Sequence, residues 1–288
     1  MAFGLLKRSG KGQPKTGRGA RIYAIGDIHG RFDLFRQALA KIEEHHSTLP
    51  VPQTLHVVLL GDLVDRGPES SRVVEFAHRL QTSTGSMICL KGNHEEMMVR
   101  AIDGEPGLMR AWVKAGGAAT LRSYGVDVPE SELDAGAATA ELKRRVAPEV
   151  VEWMRTLPLT AQSGDYLFCH AGVRPGVPIK RQSRDDLLWI REEFLGSTVD
   201  HGAMIVHGHS VAAELEMKPN RIGIDTGAYR SGILSVLFLE GEKRDVISIR
   251  ESELDPIEPD LDPAPRSAGM GYRPGSGADA GSSRLGLG

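Results

Sequence analysis

Four short apolar segments of this 288-residue chain each end in a cluster of glycine with carboxylate, imidazole or amide residues. The clusters are GDIHG at 26–30, GDLVDRG at 61–67, GNHE at 92–95 and HAG at 170–172. In an open α/β sheet the carboxyl ends of the strands border the ligand crevice, so one site can draw on all four clusters. This recurrence restricts the chain to folds in which several strands end at a common site.

The first third of the chain alternates β-rich runs with helical patterns, which predicts βαβ units around a largely parallel sheet. The later strand-like runs follow one another with little helix between them and predict a second sheet packed against the first. The paired strand and helix segments are 21–25 with 32–44, 55–60 with 70–80, and 87–90 with a helix from about His94. The later strand-like runs are 166–169, 203–206, 222–224, 232–239 and 245–249.

Composition changes along the chain divide it into three parts, the second of which contains an insertion. Residues 1–20 are rich in Gly, Lys and Arg and predict a flexible basic leader. Residues 21–250 form the main domain, in which the Ala-rich segment 103–159 shows helical patterns without clear strands and is interpreted as a cap or insertion. Residues 251–288 are acidic and then rich in Gly and Ser, so we expect a disordered tail.

The overall charge excludes several classes of protein. Lys and Arg number 35 against 38 Asp and Glu, giving a net charge of −3, so no global field exists to hold nucleic acid. No apolar run approaches the roughly 20 residues that span a bilayer, and no apolar signal-peptide core is present, so we expect a cytoplasmic protein without a membrane partner. Cys89 and Cys169 are far apart and form no CxxC pair, which argues against a disulfide framework or a thiolate metal site.

The four clusters are chemically suited to divalent cations. Asp27 and His29 are two residues apart, so on extended chain both side chains point to the same side and can share one ion. Carboxylates, imidazoles and an amide suit manganese, iron or zinc, and a carboxylate placed between two ions can bridge them. A Gly-Asp pair alone is more often a turn or a helix N-cap, but the combination of clusters favours a two-metal site.

In order and spacing, the segments GDIHG, GDLVDRG and GNHE, followed by HAG and by GHS at 208–210, resemble the motifs of the phosphoprotein phosphatase family of calcineurin-like metallophosphoesterases, especially its bacterial and phage members. The similarity extends from Arg21 to about Ile249. It implies an α/β fold in which two mixed β-sheets pack as a sandwich flanked by helices. The characteristic C-terminal loop of the eukaryotic enzymes is missing, so their regulatory subunits are not expected.

The resemblance also implies roles for individual residues. His94 is the expected proton donor to the leaving oxygen, Asp65 holds it, and Arg66 grips the phosphate together with Asn93. Arg191 is a second candidate for phosphate binding, with a surface ion pair to its neighbouring glutamates as the alternative. The implied metal ligands are Asp27, His29, Asp62, Asn93, His170 and His209. The family's Gly-His-Thr pattern selects His209 rather than His207, which is then structural.

The implied activity is hydrolysis of phosphate monoesters by in-line attack of a hydroxide that bridges two divalent ions, with manganese the first expectation and iron or zinc the alternatives. Expected substrates are phosphoserine and phosphothreonine in proteins, with phosphotyrosine and small phosphate esters as further ones. One alternative is hydrolysis of dinucleoside polyphosphates, as in symmetric diadenosine tetraphosphatase. A non-catalytic role in binding phosphoproteins is the other, and the complete ligand set argues against it.

Overall fold

The structure is a computed structural model that describes residues 12–126 and 132–254. Its strands are β1 Ala20–Ile25, β2 Thr54–Leu59, β3 Met87–Cys89, β4 Thr160–Ser163, β5 Tyr166–Cys169, β6 Met204–His207, β7 Glu216–Met217, β8 Arg221–Gly223, β9 Ile233–Glu240 and β10 Lys243–Arg250. Its α-helices are α1 Phe32–Ser47, α2 Ser70–Thr84, α3 Asn93–Ile102, α4 Leu108–Trp112, α5 Ala118–Ser123, α6 Ala135–Arg145, α7 Pro148–Thr156, α8 Arg184–Trp189, α9 Glu192–Leu195 and α10 Ala228–Ser231.

The strands form two five-stranded sheets, with the orders β10-β9-β1-β2-β3 and β4-β5-β6-β8-β7. In the first sheet β1, β2 and β3 are parallel, while β9 pairs antiparallel with both β1 and β10. In the second sheet β5, β6 and β8 are parallel, and β4 and β7 are antiparallel edge strands. Of the parallel strands only β3 lies at a sheet edge, and the motif clusters follow the carboxyl ends of β1, β2, β3, β5 and β6.

Alternate residues of β1 divide between two apolar layers, as the two-residue period of a strand requires. Ile22 and Ala24 point into the core between the sheets, where they pack with residues such as Phe168 of β5. Tyr23 and Ile25 point to the other face and join the core formed with α1 and α2. A third core lies between the outer face of the second sheet and α8 and α9. The predicted sandwich of two mixed sheets flanked by helices is confirmed.

The edge strands β4 and β7 were not predicted, because their sequences, TAQS and EM, are short and mostly polar. The predicted insertion 103–159 is helical in the residues that the structure describes, with α4 to α7 and one π-helical turn at Val113–Gly117. It is not a separate lobe, since its apolar side chains belong to the same core as α1 and α2.

The predicted flexible leader proves too long at its C-terminal end. The backbone N–H of Thr16 donates to Gly241 O at 3.1 Å, and that of Gly17 donates to Ser163 Oγ at 3.0 Å, so this segment ties the β9–β10 turn to the β4–β5 hairpin. Residues 1–11 and the greater part of the predicted tail, 255–288, lie outside the described residues. Among the helices that are described, none has the length and apolar character needed to traverse a lipid bilayer.

Candidate dimetal and phosphate site

The residues predicted as metal ligands all lie just beyond the carboxyl ends of parallel strands or on the helix that follows one. They reach a common centre because β1, β2 and β3 of one sheet and β5 and β6 of the other end at the same side of the sandwich. Every one of them is buried, with 0–5% of the residue exposed. They are Asp27 and His29 after β1, Asp62 after β2, Asn93 at the start of α3, His170 after β5, and His209 after β6.

Two groups of side chains have ligand atoms within 4.8 Å of one another and could each hold an ion: His29, Asp62 and His94 form one, and Asp62, His170 and His209 form the other. In the first group Asp62 Oδ2 lies 3.6 Å from His29 Nε2. In the second, Asp62 Oδ1 lies 3.4 Å from His170 Nε2, which is 3.2 Å from His209 Nδ1 and 2.8 Å from Asn93 Oδ1. The two oxygens of Asp62 thus face different groups, as a bridging carboxylate requires.

Backbone carbonyls fix the tautomers of two of these imidazoles. His29 Nδ1 donates to Val64 O at 2.7 Å, and His170 Nδ1 donates to Leu60 O at 2.9 Å, which leaves each Nε2 as a lone-pair donor toward Asp62. Burial lowers the pKa of His29 to about 3 and also lowers the pKa of His170. Neutral imidazoles held in this way by carbonyl groups are the form in which histidine binds a cation.

Asp27, a predicted metal ligand, belongs to neither of these groups and has one carboxylate oxygen unpaired. Its Oδ2 accepts the backbone N–H of His209 at 3.0 Å, whereas Oδ1 is buried without a hydrogen-bond partner. Burial and the nearby carboxylates of Asp225 and Asp62 raise the pKa of Asp27 well above its ordinary value. A side-chain Cβ at Gly208 would lie 2.0 Å from Asp27 Oδ1, so only glycine leaves room for this carboxylate.

Asp225 is a buried carboxyl group at the site that the motif analysis missed. It lies two residues beyond the end of β8, and burial raises its pKa to about 6. Its Oδ1 accepts the N–H of Gly227 at 2.8 Å, while Oδ2 has no hydrogen-bond partner. The signal that identified the other clusters was available here too, because IDTG at 224–227 is an apolar strand end followed by Asp and Gly.

The donor set fits two divalent cations. Two buried carboxylate oxygens of the site lack hydrogen-bond partners, namely Asp27 Oδ1 and Asp225 Oδ2. The 3.2 Å between His170 Nε2 and His209 Nδ1 is close to the roughly 3.3 Å expected of two nitrogens bound to one ion at ~2.0–2.1 Å in tetrahedral geometry. Buried carboxyl groups with raised pKa values are the environment that a cation would relieve.

The predicted proton donor, which is also a member of the first group, forms a short hydrogen bond with its carboxylate. His94 Nδ1 lies 2.5 Å from Asp65 Oδ2, and His94 Nε2 lies 3.8 Å from Asp62 Oδ2. Burial lowers the pKa of His94, but the carboxylates of Asp62 and Asp65 outweigh burial and raise it above the ordinary value. His94 therefore differs from the metal-facing imidazoles, because its surroundings favour the protonated form.

Asp65 is itself held by the predicted insertion. Trp112 Nε1 donates to Asp65 Oδ2 at 2.8 Å, and Thr120 Oγ1 donates to Asp65 Oδ1 at 2.6 Å. Thr120 Oγ1 also accepts the backbone N–H of Asp65 at 2.9 Å. Between these two residues the π-helical turn brings Gly116 O to the N–H of Arg66 at 3.1 Å. The insertion therefore forms one wall of the site.

Arg66 and Arg191 approach the centre from different sides. The Arg66 guanidinium lies 2.6 Å from His29 Nε2 and 3.0 Å from His94 Nε2, so a cation on His29 would require the guanidinium to move outward. Arg191 is exposed, and its charge contributes to the lowered pKa of His170 and His209. Within the described residues Arg191 makes no ion pair, so the alternative of a surface salt bridge is not supported.

His207, the other candidate of the HGHS segment, lies outside both metal groups. Its Nδ1 lies 3.0 Å from Gly208 O, and its ring packs edge-on against Phe194 with centroids 5.0 Å apart. Burial lowers its pKa to about 4. These contacts agree with the structural role predicted for it.

Glu95 has a larger part than its place in a motif suggested. It is fully buried, and its carboxylate accepts four backbone N–H groups. Oε2 accepts from Asp62 and Gly92, both at 2.8 Å, and Oε1 accepts from Leu63 at 2.7 Å and Val64 at 3.2 Å. Glu95 thereby joins the loop after β2 to the loop after β3 and sets the position of the shared carboxylate.

Among the described residues, the non-glycine residues with positive φ all belong to this site. They are His29, Asp62, Asp65, Arg66 and His209, with φ between 45° and 77°. This region of the Ramachandran plot is uncommon for non-glycine residues and costs of order 1–3 kcal/mol each. Such strain persists only where the surrounding structure imposes it, and it accumulates at functional sites.

Sequence comparisons relate this chain to phosphoesterases, a class of enzyme for which a two-metal site is suited. The sequence profile of calcineurin-like phosphoesterases matches residues 20–230. "Serine/threonine-protein phosphatase 2" of Escherichia coli (strain K12) is 28% identical over 223 residues, which cover 74% of this chain and 90% of that protein. "Bis(5'-nucleosyl)-tetraphosphatase PrpE [asymmetrical]" of Bacillus cereus is 26% identical over 237 residues, covering 74% of this chain and 88% of that protein.

Solved structures show the same fold. A crystal structure described as a candidate diadenosine tetraphosphatase superposes with a TM-score of 0.54 at 20% identity, covering 82% of this chain and 98% of that one. A serine/threonine phosphatase from Saccharomyces cerevisiae superposes with a TM-score of 0.50 at 15% identity, covering 86% of each chain. With the family profile matching most of the chain and the metal-ligand groups in place, the chain belongs to the calcineurin-like phosphoesterase family and is a metallophosphoesterase.

Proposed function

We propose that this metallophosphoesterase hydrolyses phosphate monoesters, with phosphoserine and phosphothreonine residues of proteins as its substrates. The observation that carries the proposal is the His94–Asp65 pair, with 2.5 Å between His94 Nδ1 and Asp65 Oδ2. The alkoxide of serine or threonine is a poor leaving group and needs a well-oriented acid, whereas a nucleoside diphosphate leaves readily as an anion. A site in which a buried aspartate, Asp65, orients a buried histidine, His94, as proton donor is suited to alcohol leaving groups.

The residues divide the work as follows. Asp27, His29, Asp62, Asn93, His170 and His209 would hold two divalent ions, for which manganese is our first expectation and iron and zinc are the alternatives. When bound, the ions supply Lewis-acid activation of water and of the phosphoryl group. Arg66 and Arg191 would bind phosphoryl oxygens, and Asn93 Oδ1 lies near enough to His170 to keep the ligand cluster compact. His94 Nε2 would give its proton to the departing oxygen.

Hydrolysis of dinucleoside polyphosphates is the second candidate. Its support is that relatives carry that name, including "Bis(5'-nucleosyl)-tetraphosphatase, symmetrical" of Aromatoleum aromaticum, 31% identical over 156 residues that span 54% of this chain and 45% of that protein. Because the metal groups are common to both activities, they do not separate the two candidates. The proton donor does, since only the monoester reaction depends heavily on it.

The deciding experiment compares kcat/KM of the manganese-loaded enzyme for phosphoserine peptides, p-nitrophenyl phosphate and diadenosine tetraphosphate. We expect the phosphopeptides to be preferred over diadenosine tetraphosphate. A higher kcat/KM for diadenosine tetraphosphate than for every phosphopeptide tested would replace the proposal with the second candidate.

A variant of the proton donor tests the chemistry separately. We expect His94→Asn to lower kcat on a phosphoserine peptide by about 10²–10⁴-fold with little change in KM. On p-nitrophenyl phosphate the loss should be much smaller, because the nitrophenolate leaves without protonation. Equal losses on both substrates would remove His94 from the role of general acid.

A further inference from the structure

A cavity of about 310 Å³ lies next to the predicted phosphate-binding arginine. Its lining comes from the start of α2 and from the insertion, and consists of Arg66, Pro68, Ala119, Arg122 and Ser123. The guanidinium of Arg66 lies within 3.0 Å of ring nitrogens of His29 and His94, so one wall of the cavity is continuous with the catalytic centre. A substrate whose phosphoryl group sits at that centre has this cavity within reach of its neighbouring groups.

The charge of the cavity is carried by Arg122. Its side chain is exposed and makes no hydrogen bond or ion pair within residues 12–126 and 132–254. Among the described residues, no carboxylate contributes to the lining, whereas the two arginines contribute planar donors that suit phosphate or carboxylate. An uncompensated cation beside a phosphate site attracts a second anion.

We infer that this cavity is a substrate subsite for a second anionic group, next to the phosphoryl group being cleaved. The proposal rests on the proposed function and gives it a specificity. In a phosphoprotein the second anion would be an acidic or phosphorylated residue flanking the target, and in a dinucleoside polyphosphate it would be the remaining phosphate chain. Both sources present oxygens of the same chemistry to Arg122.

The test compares Arg122→Gln with the parent on four substrates: p-nitrophenyl phosphate, a phosphoserine peptide with neutral flanks, the same peptide with flanking glutamates, and diadenosine tetraphosphate. Arg110→Gln is the matched control, because Arg110 is an exposed arginine of the same insertion that does not line the cavity. We expect Arg122→Gln to lower kcat/KM for the acidic peptide about fivefold, as for a solvent-accessible charge pair, and to leave p-nitrophenyl phosphate unchanged.

The four substrates distinguish an acidic peptide from a polyphosphate chain as the source of the second anion, and they distinguish failure of the subsite from failure of the proposed function. A loss confined to diadenosine tetraphosphate supports the subsite and assigns it to a polyphosphate chain. Equal losses on the acidic and neutral peptides, a loss on p-nitrophenyl phosphate, or no loss on any substrate overturns the subsite. If the parent cleaves no phosphopeptide, the proposed function fails, while the diadenosine tetraphosphate arm still tests the subsite.

A second inference comes from the hydrogen bonds that the insertion makes to Asp65. Both carboxylate oxygens of Asp65 accept bonds from α4 and α5, from Trp112 Nε1 at 2.8 Å and from Thr120 Oγ1 at 2.6 Å. Trp112 is fully buried, and the backbone of Gly117 packs so closely against its indole ring that an added Cβ would lie 2.6 Å from the ring. The ring therefore has little freedom to turn. Asp65 thus has one orientation available.

The geometry points to Trp112 and Thr120 as positioning residues that act on the leaving group through Asp65 and His94. Within the described residues, the side-chain hydrogen bonds of Trp112 and Thr120 go to Asp65 and Ser70, and none goes to a predicted metal ligand or phosphate-binding residue. Their effect should therefore follow that of His94, and be large where the leaving oxygen needs a proton and small where it does not. A general loosening of the site would instead reduce both kinds of reaction alike.

The variants are Trp112→Phe, which keeps an aromatic ring and removes the donor, and Thr120→Val, with Thr120→Ser as the conservative rescue. The matched control is Trp153→Phe, because Trp153 Nε1 is buried without a hydrogen-bond partner. We expect Trp112→Phe and Thr120→Val to lower kcat on a phosphoserine peptide about tenfold more than on p-nitrophenyl phosphate, with metal content unchanged. Thr120→Ser and Trp153→Phe should show no such difference.

A double variant tests whether Trp112 acts through Asp65. In the Asp65→Ala background, Trp112→Phe should have no further effect on the leaving-group dependence, because the group it orients is gone. Equal losses on the two substrates, or a full additional loss in the Asp65→Ala background, would overturn the positioning role.

Discussion

Replacement of Glu95 by glutamine tests how the loop that carries Asp62 is held. Glu95 uses each carboxylate oxygen to accept two backbone N–H groups, at distances of 2.7–3.2 Å. Glutamine keeps one oxygen and replaces the other by an NH₂ group, which faces two buried N–H donors. Each buried donor without an acceptor costs about 1–3 kcal/mol, so Glu95→Gln should lower the free energy of unfolding by about 2–6 kcal/mol.

The assay is urea unfolding followed by circular dichroism in the presence of EDTA, which keeps bound metal from adding to the stability of the folded state. Glu44→Gln serves as control, because Glu44 is an exposed residue of α1, and we expect it to leave the unfolding midpoint unchanged. A loss below about 1 kcal/mol for Glu95→Gln would refute the reasoning, since it would mean that the four N–H groups find other partners.

Four further predictions follow from the site and the core. Chelation should abolish turnover and manganese should restore it, measured with p-nitrophenyl phosphate. Gly92→Ala places a Cβ 2.2 Å from Asp62 Oδ1, so metal affinity by titration calorimetry should fall at least about tenfold. Cys89 and Cys169 are buried, and burial raises the pKa of Cys169 to about 12, so Ellman's reagent should modify neither thiol until urea is added. Burial lowers the pKa of His207 from 6.5 to about 4 in the folded protein. The unfolded chain therefore binds a proton between these pH values that the folded chain does not bind, so the free energy of unfolding in EDTA should fall as the pH drops from about 7.5 to about 5.5. His207→Gln should remove about 1.4 kcal/mol of that fall.

The fold was predictable because the strand-and-helix alternation and the motif clusters depend on short-range patterns. The two sheets and the positions of Asp27, His29 and Asp62 at strand ends follow from apolar runs that stop at glycine and aspartate. The edge strands β4 and β7 escaped prediction, since two to four mostly polar residues carry no period. Their strand conformation is imposed by pairing with β5 and β8.

The parts of the site that the sequence did not reveal depend on contacts between distant residues. Trp112 and Thr120 lie 47 and 55 residues from Asp65, and nothing in their local sequence indicates that they face it. Glu95 was part of a motif, but its bonds run to a loop 31–33 residues earlier. Asp225 was the exception, because its strand-end position resembled that of the other clusters.

The left-handed backbone at His29, Asp62, Asp65, Arg66 and His209 has a consequence for how this protein can be stabilised. Glycine adopts such a conformation without the steric penalty that these side chains incur, so each position is one where loss of the functional group can relieve strain. A selection for thermal stability alone would therefore tend to accumulate inactive proteins altered at the centre. Any engineering of a more robust variant should screen for turnover as well as for melting temperature, and should seek its gains in the distant cores.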